Sequence, residues 1–402
     1  MNPVFLPGDL LLPLSGAESR WSVIACDQFT SDAAYWQRVE DMVGCAPSSL
    51  RVILPEAYLG SVSMEEAAPQ RNAAMEQYLK DGVLRDIPAS FVYVERDVTG
   101  GGIRRGLVGL VDLEAYDWHP GAQVPIRASE RTVPERLPPR ISVRKGASLD
   151  IPHVMMLLDD AKETVVEPLT AQKDALPLLY DFILMEGGGR IRGWQVSGSA
   201  AEQVLNAMDA LEGPVKLVVG DGNHSLAAAK ASWEMLRETL AEEEKANHPA
   251  RFALVEVNNV YDDGVCFEPI HRTVLHTDAA ALKAALEENF IEGTPLRVFC
   301  GEEESLIHVP GASLGGVIGT LQAFLEDFAA KHGGEIDYIH DDDSAISLAA
   351  EAGNLSVLMP AFDKRELFRT VLTEGVFPKK SFSIGHARDK RYYLECRRLR
   401  RY

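Results

Sequence analysis

Residues 218–230 read VVGDGNHSLAAAK: an apolar run passes through Asp221, Gly222, Asn223, His224 and Ser225 into an alanine-rich stretch. The Val-rich part predicts a buried strand over Val215 to Gly220, and the part after the turn predicts a helix from Ser225 through Glu243. Glycines at 220 and 222 tolerate positive φ and let the backbone approach a ligand closely. A helix N-terminus presents backbone N–H groups and a partial positive charge, so strand, glycine turn and helix make a phosphate site. Gly222, Asn223 and Ser225 would supply N–H groups to it, and His224 and Ser225 would aim side-chain donors at the same place. A carboxylate beside a phosphate is unfavourable unless it holds a metal, a sugar hydroxyl or a proton in transit, so Asp221 points to acid–base chemistry or a divalent ion. The same residues also suit a plain structural end, with Asp221 or Asn223 capping the helix and His224 a satisfied polar residue. The turn has neither the full P-loop pattern nor that of a dinucleotide fold.

Three other stretches carry polar chemistry. SVIACDQFT (22–30) sets Asp27 and Gln28 at the end of an apolar run, where an ionised carboxylate is expensive to bury without a partner or a task. Asp27 is therefore a candidate general base. VEVNNVYDDGVCFEPIHRTVL (255–275) turns at Asp263 and Gly264 and delivers Glu268, His271 and Arg272 beside a proline; His271 and Arg272 fit either an anion grip or a tie at a domain junction. FPKKSFSIGHARDK (377–390) holds Lys379, Lys380 and Ser381, which fit a phosphate grip or a solvated turn.

These residues must be positioned by a chain of 402 residues, nearly half apolar, which is long enough for a large core and two domains. The formal net charge of −20 repels polyphosphate backbones over most of the surface, so long nucleic acid is not an expected partner. The basic end, RDKRYYLECRRLRRY (388–402), reads as a final strand with one solvated cationic face, in preference to an anion site. Five cysteines, scattered and never in a CxxC spacing, indicate neither a disulfide framework nor a zinc knuckle, and a reducing cytoplasm fits them. The N-terminal stretch lacks a secretory pattern, and no run of 18 apolar residues occurs, so a membrane partner is not expected.

Along the chain, WSVIACDQF and SLRVILP read as strands, SMEEAAPQRNAAMEQYLKDG as a helix, and FVYVERDV and GLVGLVDLEAY as strands. Pro125 to Lys145 is a basic, proline-rich connector, too rich in proline for a long helix, and fits an anion-binding segment or a solvated linker. Strand and helix then alternate: IPHVMMLL, a helical PLTAQKDALPLLYDFILMEG, the strand GRIRGWQVSG, a helical SAAEQVLNAMDALEG, the strand before the turn, and RFALVEVNNV. After Thr277 a further run of α and β elements begins. The expected organisation is a core region over 1–276 and a C-terminal α+β region over 277–402, in the α/β (α+β) class.

The ordered set VVGDGNHSLAAAK, VEVNN, FEPIHRTV, SVIACDQFTSDAAYW and FPKKSFS resembles the domain of unknown function 1015 family over essentially the whole chain. In its central motif that family is similar to the superfamily of sulfiredoxin, the partition protein ParB and the archaeal free-serine kinase. The resemblance implies a ParB/sulfiredoxin-like mixed-sheet core and a nucleotide phosphate held at the turn. The broader family's motif reads Asp-Gly-His-His-Arg, whereas Asn223 and Ser225 stand here in place of the first His and the Arg. Arg272, or Arg127 and Arg131 in the connector, would then supply the missing charge. Sulfiredoxin's nucleophilic cysteine has no counterpart, because Asn223 occupies its place, and the acidic chain offers no basic face for ParB-like DNA binding.

The resemblance favours a cytoplasmic phosphotransferase or phosphatase on serine or phosphoserine, with Asp221, His224 and Asp27 as catalytic residues. Mg²⁺ is the expected ion, with Asp221 a possible ligand, and ADP, ATP or pyrophosphate the expected phosphate partner. The alternative is a nucleotide-binding regulatory protein that uses the same turn without turnover. Neither reading fixes the oligomeric state.

Overall fold

The structure is a computed structural model that describes residues 3–30, 32–58 and 62–400. The chain forms two compact units, the first made of Met1–Ala128, Thr132–Val265 and Gly385–Tyr402, the second of Ser129–Arg131 and Cys266–Ile384. Residues 266–276, expected with the core region, group with the second unit, and 385–402, expected with the C-terminal region, group with the first.

A mixed sheet dominates the first unit. Its order is Tyr116–Asp117, Ile126–Ala128, Leu217–Asp221, Met155–Leu158, Phe252–Asn259, Ile103–Asp112, Leu84–Asp97, Arg190–Val196 and Leu178–Ile183. Phe5–Leu6 and Gly8–Pro13 pair beside this path. Successive side chains of a strand point to opposite faces. Phe91 and Tyr93 accordingly enter one core with Leu107 and Val111, while Val92 and Val94 enter another with Val108 and Leu110. Both faces of the central strands are thus covered, which is why their sequences read as nearly continuous apolar runs. Burial of each such large side chain contributes about 1.5–3 kcal/mol. The fold class is mixed α/β, as expected.

The second unit is an antiparallel sheet ordered Glu303–Val309, Thr294–Cys300, Leu355–Leu358, His271–Leu275 and Glu335–Ile339. Helices Ala279–Asn289 and Leu314–His332 cover it, joining Leu282, Leu286, Leu321 and Leu325 to Val274, Val298 and Val357.

Four local expectations are corrected. PLTAQKDALPLLYDFILMEG is α-helical only up to Gln172, in helix Glu167–Gln172, a 3-10 turn follows at Lys173–Ala175, and Leu178–Ile183 is a strand. Positive φ at Glu186, Gly187 and Gly189 reverses the chain there and lets this strand pair antiparallel with Arg190–Val196, so a local turn overrides helical spacing. WSVIACDQF and SLRVILP form no strands; the first makes a single bridge, Ile24 to Arg391, and the second contains a 3-10 turn, Ser49–Arg51. The helix after the turn runs Asn223–Arg237, not to Glu243, and a separate turn of helix follows at Glu242–Lys245. The basic end is not a solvated strand: Arg391 through Arg397 are all buried, Arg397–Arg398 is a two-residue strand with single bridges at Arg391 and Cys396 before it, and Arg401 and Tyr402 lie outside the described residues.

The proline-rich connector forms the strand Ile126–Ala128 and then a ten-residue helix, Leu137–Gly146. Pro138 and Pro139 sit in the first turn of that helix and Pro134 opens the 3-10 turn Pro134–Arg136 before it, positions where a missing N–H costs nothing. Among the described residues, no helix is long and apolar enough to cross a membrane.

Candidate functional site

The strand Leu217–Asp221 ends between two neighbours, parallel to Ile126–Ala128 and antiparallel to Met155–Leu158. Gly222 then takes φ +82° as the N-cap of helix Asn223–Arg237. Glycine has no side chain to cap with, so the expected cap by Asp221 is not what forms; Asp221 Oδ1 instead accepts from the Gly222 N–H at 2.9 Å. A Cβ on Gly222 would lie 3.1 Å from both Cα and Cγ2 of Val154, in a backbone region that L-residues avoid. Gly222→Ala is therefore expected to destabilise the fold by about 1–2 kcal/mol. Urea unfolding would read this as a lower midpoint with unchanged slope, and an unshifted midpoint would mean that the turn relaxes without strain.

Four stretches distant in sequence meet at this turn. His153, just before the strand Met155–Leu158, puts Nε2 3.2 Å from Ser225 Oγ. Lys390 Nζ lies 3.6 Å from Asp221 Oδ2. Backbone hydrogen bonds lock the C-terminal segment to the Asp27 loop: Ala25 N–H donates to Lys390 O at 2.8 Å, and Tyr392 N–H to Val23 O at 2.9 Å. The Tyr392 ring meets His153 edge-on at 4.9 Å. Tyr393 closes the other side, donating from its backbone N–H to Pro152 O at 3.0 Å and from its hydroxyl to Val154 O at 2.9 Å. Arg397 and Arg144 converge on buried Asp150, at 3.4 and 2.7 Å, and anchor the same segment.

Burial penalises charge on both Asp27 and His153. Asp27 nonetheless stays below the ordinary carboxylate range, because His153 when protonated, the Gln28 amide at 3.0 Å, Lys390 and Arg140 all favour its anion. For His153 burial wins: it holds the imidazole below its ordinary value against the attraction of Asp27 and Asp221. Near neutral pH the cluster therefore carries an anionic Asp27 beside a neutral imidazole, and the two lysine and arginine cations with Gln28 keep Asp27 ionised. Cys26 is pushed up to about 12, chiefly by burial, and remains a thiol.

A family model described as a protein of unknown function, DUF1015, matches residues 11–395. The chain belongs to the DUF1015 family. No curated protein matches it. Similar solved structures include a C-terminally truncated SbnI from Staphylococcus aureus, 10% identical with a TM-score of 0.36 over 69% of this chain and 82% of that one. Others are a conserved hypothetical protein from Pyrococcus furiosus (14%, TM-score 0.34, 69% and 90%) and a free serine kinase in complex with AMP (13%, TM-score 0.35, 69% and 86%).

In this DUF1015 chain the structure gathers Asp27, Asp221, Gly222 and Ser225 around His153. His224 Nε2 accepts from the Val133 N–H at 3.1 Å and so ties the connector to the helix start. Asn223 is the first residue of the helix. Arg127 is buried and spends its guanidinium on its own loop, at Val124 O and Gln123 Oε1. Arg131, His271 and Arg272 belong to the second unit. There His271 Nδ1 accepts from Met359 N–H at 3.0 Å and its Nε2 lies 2.9 Å from Asp342, while Arg272, wholly buried, donates to Gln322 and the Ile270 carbonyl. Lys379 sits over the Tyr338 ring, and Glu130 accepts from the Ser381 and Lys380 N–H groups of the FPKKSFS turn.

Sequence reasoning missed His153, Lys390 and Tyr392. A histidine after Ile-Pro at the mouth of a buried strand, IPHVMMLL, was the available signal for the first; Lys390 and Tyr392 gave none, since a basic aromatic run reads equally as surface. The DUF1015 cluster also adjoins a cavity of about 170 Å³, whose lining includes Cys26, His153, Ser225 and Tyr392. As for a divalent ion, Asp221 has one oxygen on the Gly222 N–H and the other facing Lys390, and among the described residues no three His, Cys, Asp or Glu side chains gather as ligands. Lys390 thus places a positive charge beside Asp221.

Proposed function

We propose that this DUF1015 protein transfers a phosphoryl group between a nucleotide or pyrophosphate and the hydroxyl of a small metabolite. The observation that carries the reading is the meeting of Asp27, His153, Asp221, Ser225 and Lys390 at one helix N-terminus beside a cavity. Charges partly withdrawn from water, with pKa values displaced in opposite chemical senses, are costly for a fold to keep and gather where chemistry is done.

In this reading the N–H groups at the start of helix Asn223–Arg237 and Lys390 take the transferred phosphate, and Asp221 holds Lys390 in place. The acceptor hydroxyl attacks phosphorus, the bond to the leaving oxygen breaks, and Asp27 receives the hydroxyl proton. Neutral His153, with Ser225, orients the phosphate oxygens. His224 acts as a positioning residue for the connector, and Arg127, Arg131, His271 and Arg272 are given no part. No step is routed through a metal. Serine and phosphoserine are the first pair to try, on the strength of the family resemblance. Five free cysteines support a reducing compartment such as the cytoplasm.

The test is ³¹P NMR of the purified protein with L-serine plus ATP, ADP or pyrophosphate, and with L-phosphoserine with and without ADP. New phosphorus signals that vanish with the Asp27→Asn protein would support transfer and reveal its direction. Nucleotide line broadening without any new signal would replace the proposal with the regulatory, non-catalytic alternative.

A further inference from the structure

The cavity beside the cluster is not built for a phosphate. Much of its wall is apolar, from Val52, Ile53, Met75, Val143, Leu149 and Ala229, none of which offers a side-chain hydrogen bond or a charge. Ala229 lies one helical turn beyond Ser225, on the same side of helix Asn223–Arg237. His153 and Ser225 belong at once to this wall and to the polar cluster, so the apolar space and the phosphate position are contiguous. Its other charged groups are paired with one another, Glu56 with Arg140 at 2.5 Å and Asp150 with Arg144 at 2.7 Å, and the Cys26 thiol is un-ionised at neutral pH.

Size narrows the occupant. An engineered apolar cavity of about 150 Å³ binds benzene, and this one, at about 170 Å³, is slightly larger. Free serine, whose few side-chain atoms are polar, would leave such a space unfilled and strip water from groups that need it.

We propose that the cavity binds an apolar ring or branched alkyl group, of roughly benzene to indole size, carried by the small molecule whose phosphate or acceptor hydroxyl lies at His153 and Ser225. The inference rests on the phosphotransfer reading for what is attached to that group, but occupation of the cavity does not depend on turnover. The group has two possible sources, the base of a nucleotide or the body of the acceptor, and both share this chemistry.

The experiment is saturation-transfer NMR and calorimetry on the full chain with four phosphate-free probes: indole, isovalerate, adenosine and serine. Indole, together with adenosine or isovalerate, is expected to bind, and serine is not. Ala229→Leu, which fills the space from the helix, is expected to weaken the binding probes at least about tenfold, a difference of about 1.4 kcal/mol. Val143→Phe fills it from the opposite helix and serves if the first variant does not fold. Binding should survive Asp27→Asn, which separates the cavity from the catalytic proposal. Adenosine binding that competes with indole would assign the space to the nucleotide base, whereas isovalerate competing with indole in adenosine's stead would assign it to the acceptor. If no apolar probe binds, or if binding is untouched by either filling variant, the inference is overturned whatever the phosphorus spectra show.

Discussion

Replacing Asp27 with Asn is expected to lower kcat for phosphoryl transfer by about 10²–10⁴, the range for losing a positioned acid–base group. The amide keeps the size and the contact with Gln28 but cannot accept a proton. In the proposed arrangement the helix start and Lys390 hold the phosphate, so KM for the phosphate-bearing ligand should stay near its wild-type value. A parallel loss in affinity and turnover would instead make Asp27 a binding residue. Removing this carboxylate also leaves Lys390 and Arg140 less compensated, so the variant's thermal unfolding should be followed alongside its kinetics. Loss of activity in a protein with unchanged unfolding is the result that identifies a chemical role.

The second large effect is a dependence on pH set by His153. Its folded-state pKa is depressed by burial, below the value of about 6.5 for an unperturbed imidazole. The neutral ring therefore persists to lower pH than usual, and activity should hold through neutrality and fall only as pH drops through that depressed value. Stability carries the same sign: the unfolded chain binds the proton first, so stability is fully present above the unfolded-state value and is lost as pH falls through the folded one. Asp221→Asn removes one of the attractions for the imidazolium and should move the acid limb to still lower pH. His153→Asn should abolish the limb and cost about 10²-fold or more in turnover, the size for losing a group that orients the reacting oxygens. Titration of the labelled His153 ring by NMR gives the pKa without any substrate. A value at or above the ordinary one would contradict the burial argument, and an acid limb indifferent to His153→Asn would remove the residue from the reaction.

Much of the scaffold was written in local patterns. The apolar runs of FVYVERDV and GLVGLVDLEAY, the helical spacing of SAAEQVLNAMDALEG, and the turn at Gly222 all correspond to the elements that form, because each is decided by neighbours within a few residues. Leu178–Ile183 was not legible, since its strand depends on a turn eight residues on and a partner beyond it. The site divides in the same way. Asp27, Asp221 and Ser225 stand in motifs whose residue types are odd for their apolar surroundings. Lys390 and Tyr392 matter only because backbone hydrogen bonds lay their segment along residues 23–25, a pairing across more than 360 positions that no local pattern encodes. His271 and Arg272 show the converse: a motif rich in charge can be consumed by its own surroundings, here Asp342, Met359 and Gln322.

The return of the last segment to the first unit sets an order of events during synthesis. Strand Leu217–Asp221 and its helix leave the ribosome early, and more than a hundred residues of the second unit are translated before Lys390 exists. At about 5–20 residues per second, the nascent chain spends seconds with Asp27, His153 and Asp221 made but lacking Lys390, one of the two cations that compensate them. The buried Asp150 likewise waits for Arg397. A ribosome stalled in the second unit would therefore present a folded-looking but uncompleted domain, with an open groove where Tyr392 and Tyr393 belong. Such a product is a natural substrate for chaperones and proteases, and the cell would see activity only from chains whose translation had run past that lysine.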